Sequence, residues 1–338
     1  MVIALENSSL KNHIGLMDQL NSLGIDNLVV AGEKATLIHL QGDNRREDAQ
    51  KIKDILPGSI RLIDTKKTYP LVSRESLPQG SIIDVAGVAI GGKAIQIISG
   101  PCSVETPEQM AKAADMVKRA GCRLMRGGAF KPRTNPYSFQ GHGVDGLVML
   151  EQAARASALP MVTELLDVRH LEHFLAAGVD LIQIGTRNMQ NFELLKEVGR
   201  TKTPVLLKRG MCATIKEWLN AAEYIAASGN LNIILCERGV RSFENAYRNM
   251  LDVTAIPMLK RETHLPVMID PSHAAGCASL VPVLSKAAIA AGADGLIIES
   301  HHQPEQAWCD AEQALNPEEL TQLMQELTLI ANSVKRDI

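Results

Sequence analysis

Residues 204–239 read PVLLKRGMCATIKEWLNAAEYIAASGNLNIILCERG. A short apolar run, PVLL, gives way to Lys208 and Arg209. The helical stretch TIKEWLNAAEYIAASG follows, and a second run, NIILC, gives way to Glu237 and Arg238. The runs are continuously apolar instead of alternating, as strands are when helices cover both faces of a parallel sheet. Working outward, the same unit recurs. AIQIISG, RLMRGGA, PMVTELL and DLIQIGT precede it, PVMIDPS and GLIIESH follow it, and stretches such as TPEQMAKAADMVKRAG and RHLEHFLAAG fill the intervals. Eight such units over about 250 residues predict a closed (β/α)8 TIM barrel. An open doubly wound sheet is the alternative, but no strand runs into a G-x-G-x-x-G or P-loop pattern. Ahead of the first strand, SIIDVAGVAIGG reads as a β-hairpin with a glycine turn.

The start of the chain has another rhythm. MVIAL, NLVVAG, TLIHLQG and SIRLIDT read as strands, NHIGLMDQLNSLG and NRREDAQKIKDILPG as helices. That β-α-β-β-α-β order is the split βαβ of a small ferredoxin-like α+β domain. The expected α/β organisation is a ferredoxin-like domain over 1–66, a polar, proline-containing linker over 67–80, and the barrel with its hairpin over 81–338. A small unit of this kind would expose one sheet face and its edges, free to pair with a neighbour or cradle a small ligand near the barrel's mouth.

With 338 residues, 46% of them apolar, the chain can bury a large core. A net charge of −3 and only 3% aromatic residues argue against nucleic acid or a membrane surface as partner. Six cysteines with no C-x-x-C pair read as reduced thiols. The N-terminus lacks a charged start followed by an apolar run, and no stretch approaches membrane-spanning length. A cytoplasmic protein is the expectation.

In barrels of this kind chemistry gathers at the C-terminal ends of the strands, and the uncommon residues here fall there. One group is a basic ring: Arg126, Lys131, Arg133, Arg187, Lys208 and Arg238. Converging cations repel one another and call for anions, and guanidinium forks suit phosphate and carboxylate. Singly, each could instead pair with a nearby acid, Lys208 with Glu164 for example. A second group is Cys102, His273, Glu299 and Asp310, from strands one, seven and eight and the loop after strand eight. A thiolate, an imidazole and two carboxylates suit one divalent ion of the Mn, Fe, Co or Zn class. Cys102 as a small buried residue is the competing reading. His301 and His302 are rival ligands, His301 sharing a face with Glu299. Cys309 reads as packing.

GPCSVE, RGGAFKPRTNPYSFQG, QIGTRNMQN, LLKRGM, ILCERG, DPSHAAG and IIESHHQPEQAWCDAEQA together resemble the family of 3-deoxy-D-arabino-heptulosonate 7-phosphate synthases, and the first domain resembles the regulatory extension of one subclass. The resemblance implies Cys102, His273, Glu299 and Asp310 as metal ligands. It implies Arg126, Lys131, Arg187, Lys208 and Arg238 as the phosphoenolpyruvate site, and Lys131, Pro132, Arg133 and Thr134 as the aldose phosphate site. Glu164 would contact the water or phosphate region, and Lys131 and His273 are candidates to carry protons. The KPRT element favours erythrose 4-phosphate as acceptor. The alternative is a 3-deoxy-D-manno-octulosonate 8-phosphate synthase using arabinose 5-phosphate. The resemblance further implies the first step of aromatic amino acid synthesis, feedback by an aromatic amino acid, and a homo-oligomer, expected as a tetramer. His302 and Cys309 depart from the pattern, where proline and serine are common. Two other classes compete: a Schiff-base aldolase with Lys208 as nucleophile, which would not need Cys102 or the carboxylates, and a non-catalytic sensor or scaffold.

Overall fold

In the computed structural model, residues 1–6, 14–32, 35–41, 45–56 and 60–338 are described. The expected helix starts at Asn12 and Asn44 and the strand start at Ser59 lie outside them. The first elements are β1 (Val2–Glu6), α1 (Ile14–Ser22), β2 (Asn27–Ala31), β3 (Ala35–Leu40), α2 (Arg45–Ile55) and β4 (Arg61–Ile63). Their strands form an antiparallel sheet in the order β2-β3-β1-β4. Ile3, Leu5, Ile38 and Leu40 pack with Leu16 and Leu20 of α1 and Ile52 of α2, so the two helices cover one face.

The hairpin is formed by β5 (Ile83–Val85) and β6 (Val88–Ile90). Both turn residues, Ala86 and Gly87, have positive φ, as a two-residue hairpin turn matched to strand twist requires. The remaining strands are β7 (Gln96–Gly100), β8 (Leu124–Arg126), β9 (Met161–Leu165), β10 (Leu181–Ile184), β11 (Val205–Lys208), β12 (Ile233–Glu237), β13 (Val267–Ile269) and β14 (Gly295–Glu299). All pair in parallel, β14 pairs with β7, and the barrel closes. The helices along it are α3 (Pro107–Arg119), α4 (Val144–Ser157), α5 (Leu171–Ala176), α6 (Phe192–Gly199), α7 (Ile215–Ala227), α8 (Ala255–Glu262), α9 (Pro271–Ala275), α10 (Val281–Ala290) and α11 (Pro317–Ser333). Among the described residues no helix is long and apolar enough to cross a membrane. Ile83, Val85, Val88 and Ile90 share a buried cluster with strand residues such as Ile98, Leu124, Val162 and Ile234. The hairpin therefore contributes four fully buried aliphatic side chains, each worth roughly 1.5–3 kcal/mol, to the inside of the barrel.

The expectation of a free sheet face is corrected. Val2, Ala4 and Leu37, on the face away from α1 and α2, are buried in the same apolar cluster as the barrel. A Cβ on Gly32 would lie 3.2 Å from Leu231, just before β12. That contact is at the N-terminal end of the barrel strands, away from the mouth. The connecting segment is likewise packed, with Tyr69, Leu71, Val72 and Leu77 buried. Glu223 of α7 accepts hydrogen bonds from the backbone of Leu71 and Val72 at 2.9 and 3.0 Å.

Candidate active site at the barrel mouth

The strand ends deliver polar groups to one chamber. It is lined by Arg126, Lys131, Pro132, Arg133, Thr134, Glu164, Arg187, Lys208, Arg238, His273 and Asp310, among others. All six cations read from the sequence reach it. Backbone geometry makes the room. A Cβ on Gly128 would meet the Cys102 carbonyl oxygen at 2.5 Å, and one on Gly185 would overlap the Glu164 carboxylate at 1.8 Å. Only glycine lets those side chains sit where they do.

The six cations are not equivalent. Arg126 donates to Glu299 Oε1 at 2.5 Å, and Lys208 pairs with Asp270 rather than with Glu164. Both pairs are buried. Lys131 donates to the Cys102 carbonyl at 2.8 Å and to its Sγ at 2.9 Å. Arg133, Arg187 and Arg238 form no ion pair among the described residues. Arg238 is the extreme case: it is 4% exposed, and its Nη1 has no hydrogen-bond partner. Burial pulls its affinity for the proton down, and nearby Asp270 only partly restores it. A buried guanidinium without a counter-ion is costly, so the chamber is built to receive an anion there. The Schiff-base reading loses ground, because Lys208 is buried in an ion pair instead of standing free as an amine.

Beside Arg126 and Lys131, the residues Cys102, His273, Glu299 and Asp310 each offer an atom, and the four lie within 4.8 Å of one another. Cys102 Sγ is 3.1 Å from Asp310 Oδ2, and His273 Nε2 is 3.3 Å from Glu299 Oε1. Asp270 caps α9 through the His273 backbone and holds His273 Nδ1 at 2.7 Å. Burial pushes the His273 proton affinity down despite Asp270 and Glu299, so the neutral ring is favoured. With Nδ1–H given to Asp270, Nε2 turns a lone pair toward the Glu299 carboxylate. Burial would raise Glu299, but His273, Arg126 and Lys131 outweigh it and hold the carboxyl well below its usual range. The Cys102 thiol is pushed up by its contact with Cys309, by burial and by Glu299. A lone pair against a carboxylate, with a thiol kept protonated beside them, is a donor set that lacks a cation. One divalent ion fits it.

His301 and His302 are not brought into this set. His301 lies 3.5 Å from Glu105 and stacks on His302. Cys309 is more than packing: it is buried, and hydrogen bonds from Cys102 and Ser103 bring its thiol down to about 6. Sequence reasoning missed Arg248, which lines the chamber, donates to Gln313 at 2.9 Å and stands 3.9 Å from Asp310. It also missed Gln313, which donates to Glu299 Oε2 at 2.5 Å, and the part played by Asp270.

Fold and site define a class: a (β/α)8-barrel enzyme whose mouth joins a cation-rich wall to a cluster of four groups that could hold a metal ion. The chain belongs to the DAHP synthetase I family, whose pattern matches residues 71–334. It is 44% identical over 337 residues to a phospho-2-dehydro-3-deoxyheptonate aldolase of Thermotoga maritima, covering 99% of this chain and 98% of that one. A crystal structure of the Thermotoga maritima DAHP synthase superposes with a TM-score of 0.79 at 43% identity, covering 99% and 98% of the two chains. A 2-dehydro-3-deoxyphosphooctonate aldolase of Syntrophotalea carbinolica is 31% identical over 273 residues, covering 75% of this chain and 97% of that one.

Proposed function

We propose that the chain condenses phosphoenolpyruvate with erythrose 4-phosphate and water to give 3-deoxy-D-arabino-heptulosonate 7-phosphate and phosphate, the first step of the shikimate pathway. One observation carries the reading. The unpartnered, buried Arg238 shares a chamber with four cation-seeking donors. Phosphorylated substrates answer the first and a divalent ion the second. The full-length 44% identity to a heptonate-type relative, against 31% over three quarters of the chain for an octonate-type one, supports the four-carbon acceptor.

In this reading Arg126, Lys131, Arg187, Lys208 and Arg238 grip the phosphate and carboxylate of phosphoenolpyruvate. Lys131, Pro132, Arg133 and Thr134 hold the aldose phosphate. Fixing both partners turns a bimolecular encounter into an oriented one, worth at best roughly 7–11 kcal/mol. The methylene carbon of the enol phosphate then attacks the aldehyde carbon, whose oxygen takes the charge. Burial alone would lower Lys131, but the adjacent Cys102 and Glu299 outweigh it, so Lys131 stays an ammonium and can give that oxygen a proton. Water adds at the enol carbon and returns a proton to Lys131, and the tetrahedral centre then expels phosphate, which carries off the water's second proton into the cations that already hold it. Glu164, beside Gln183 at 3.3 Å, faces the same space and is the group placed to orient that water. A divalent ion held by Cys102, His273, Glu299 and Asp310 would supply Lewis acidity at the chamber wall.

We assign residues 1–66 as a ferredoxin-like regulatory unit, 67–80 as the connection, and 81–338 as the catalytic barrel. The antiparallel order β2-β3-β1-β4 supports the first assignment. No described residue of 1–66 lines the chamber; in this reading an aromatic amino acid acting through the unit works across subunits of a homo-oligomer. A cytoplasmic location suits the substrates. The test is a competition: equimolar erythrose 4-phosphate and arabinose 5-phosphate with limiting phosphoenolpyruvate, the products separated by mass. The seven-carbon sugar acid is expected in large excess, and a predominance of the eight-carbon product would overturn the assignment.

A further inference from the structure

Two loops carry the two halves of the proposed chemistry. Residues 130–143, after β8, hold Lys131 to Thr134, and residues 300–314, after β14, hold Asp310. Three rings join them. Trp308 stands edge-on to Phe139, with centroids 5.1 Å apart and planes at 85°. His142 lies 5.1 Å from Phe139 and 5.7 Å from Trp308. Beneath the rings sits Glu105, buried at the end of the β7 loop. Its Oε1 accepts the Trp308 backbone N–H at 2.9 Å, and its carbonyl oxygen is 2.9 Å from His142 Nε2. One residue thus touches both loops.

The contacts lead directly into the site. The first loop closes on itself where the Lys131 N–H meets the Gln140 carbonyl at 2.9 Å, so whatever fixes Phe139 also fixes Lys131. In the second loop Trp308 lies two residues ahead of Asp310, whose backbone is left-handed at φ +50°. Trp308 remains 51% exposed, so its ring contributes little to the core; its extensive contact is with the other loop.

We propose that Trp308, Phe139 and Glu105 are positioning residues, a clasp tying the acceptor loop to the loop that bears Asp310. A divalent ion at the four-donor cluster and an aldose phosphate at Lys131 to Thr134 then strengthen each other's binding. The proposal rests on the site reading given above. A ligand that orders one loop orders the other through the clasp, and such coupling is reciprocal.

The test uses the full chain, freed of metal and titrated with Zn2+ by equilibrium dialysis, with and without erythrose 4-phosphate. The sequence has two tryptophans; Trp218 is fully buried with its Nε1 on the Leu207 carbonyl, so changes in emission report Trp308. The wild-type chain is expected to shift its emission on zinc binding and to bind zinc about fivefold tighter or more with the aldose phosphate present. In Phe139→Ala and Trp308→Ala that ratio falls to about one, and Trp308→Phe restores it. The KM for erythrose 4-phosphate rises in the two alanine variants, while that for phosphoenolpyruvate stays near wild type. Alanine variants that keep the wild-type ratio, or that raise both KM values alike, overturn the clasp. A wild-type ratio of one with normal zinc binding sinks the clasp alone. Failure to bind zinc at all sinks the site reading with it.

Discussion

On the wall where β7, β13 and β14 end, the buried carboxylates have partners: Glu299 meets Arg126 of β8, Asp270 meets Lys208 of β11, and the neutral ring of His273 lies between the two carboxylates. On the wall built by β10, β12 and the loop after β8, Arg133, Arg187 and Arg238 face the space with no carboxylate in ion-pair reach among the described residues. Seven cations line the chamber. Among the described residues four carboxylates answer them: Glu164 and Asp310 in its wall, and Glu299 and Asp270 paired with Arg126 and Lys208. The first wall is nearly self-consistent and lacks one cation; the second lacks anions. An unpaired buried charge costs stability, so the second wall is where the fold gives up stability, as the proposed anion site requires.

The largest effect expected from breaking this contrast is on the first wall. Cys102→Ala removes one of four donors, and metal content and rate should fall together, the rate by more than about a thousandfold if several kcal/mol of charge stabilisation are lost. Elemental analysis of the purified variant beside its rate checks this; a metal-free variant with near-normal rate would contradict it. Next, Glu299→Ala strands the Arg126 guanidinium in a buried site. Losing one member of a buried pair costs about 3–5 kcal/mol, which denaturant unfolding of the metal-free proteins would read directly.

The second wall should respond with the opposite sign. Arg238→Met removes an unpaired buried charge and is expected to stabilise the metal-free protein by about 1–3 kcal/mol. It also removes a charge-assisted contact, so the KM for phosphoenolpyruvate should rise roughly 10- to 100-fold. A variant that loses both stability and affinity would show that Arg238 has a structural partner.

The smallest effect is in pH. Arginines do not titrate, so only the first wall senses acid. Asp270 would be raised by burial, but His273 and Lys208 hold it well below the ordinary 3.8; its stabilisation persists above that value and is lost only as pH falls through its folded pKa. His273 is depressed below 6.5, so as pH drops beneath 6.5 the unfolded chain takes up a proton that the folded one refuses, and stability falls. The Tm of metal-free wild type minus that of His273→Gln should therefore decline below about pH 6.5. A flat difference would mean that His273 is not held neutral.

How much of this the sequence reveals follows from where each signal lies. PVLL and NIILC read as buried parallel strands because every position is apolar, and the chemistry at strand ends followed from the barrel. The same rule applied to Val2-Ile3-Ala4-Leu5, apolar at every position and buried throughout, implies that both faces of the small sheet are covered; the split βαβ pattern taken alone left one face open. Arg248 was missed because it sits in irregular chain between β12 and α8, with no periodic neighbours to place it. Its only sequence signal is membership in a βα loop. Asp270 was in view, but which cation it meets depends on the approach of β11 and β13 through the barrel, which no local pattern encodes. Cys309 looked like packing because adjacency to Asp310 does not reveal that its sulfur reaches Cys102.

Release of phosphate from phosphoenolpyruvate tests the central claim most directly, measured with no aldose, with erythrose 4-phosphate or with arabinose 5-phosphate, before and after a strong chelator. The account predicts rapid release only with erythrose 4-phosphate, abolished by the chelator and restored by Mn2+ or a similar divalent ion. Equal release without any aldose, or undiminished release from metal-free protein, would contradict it.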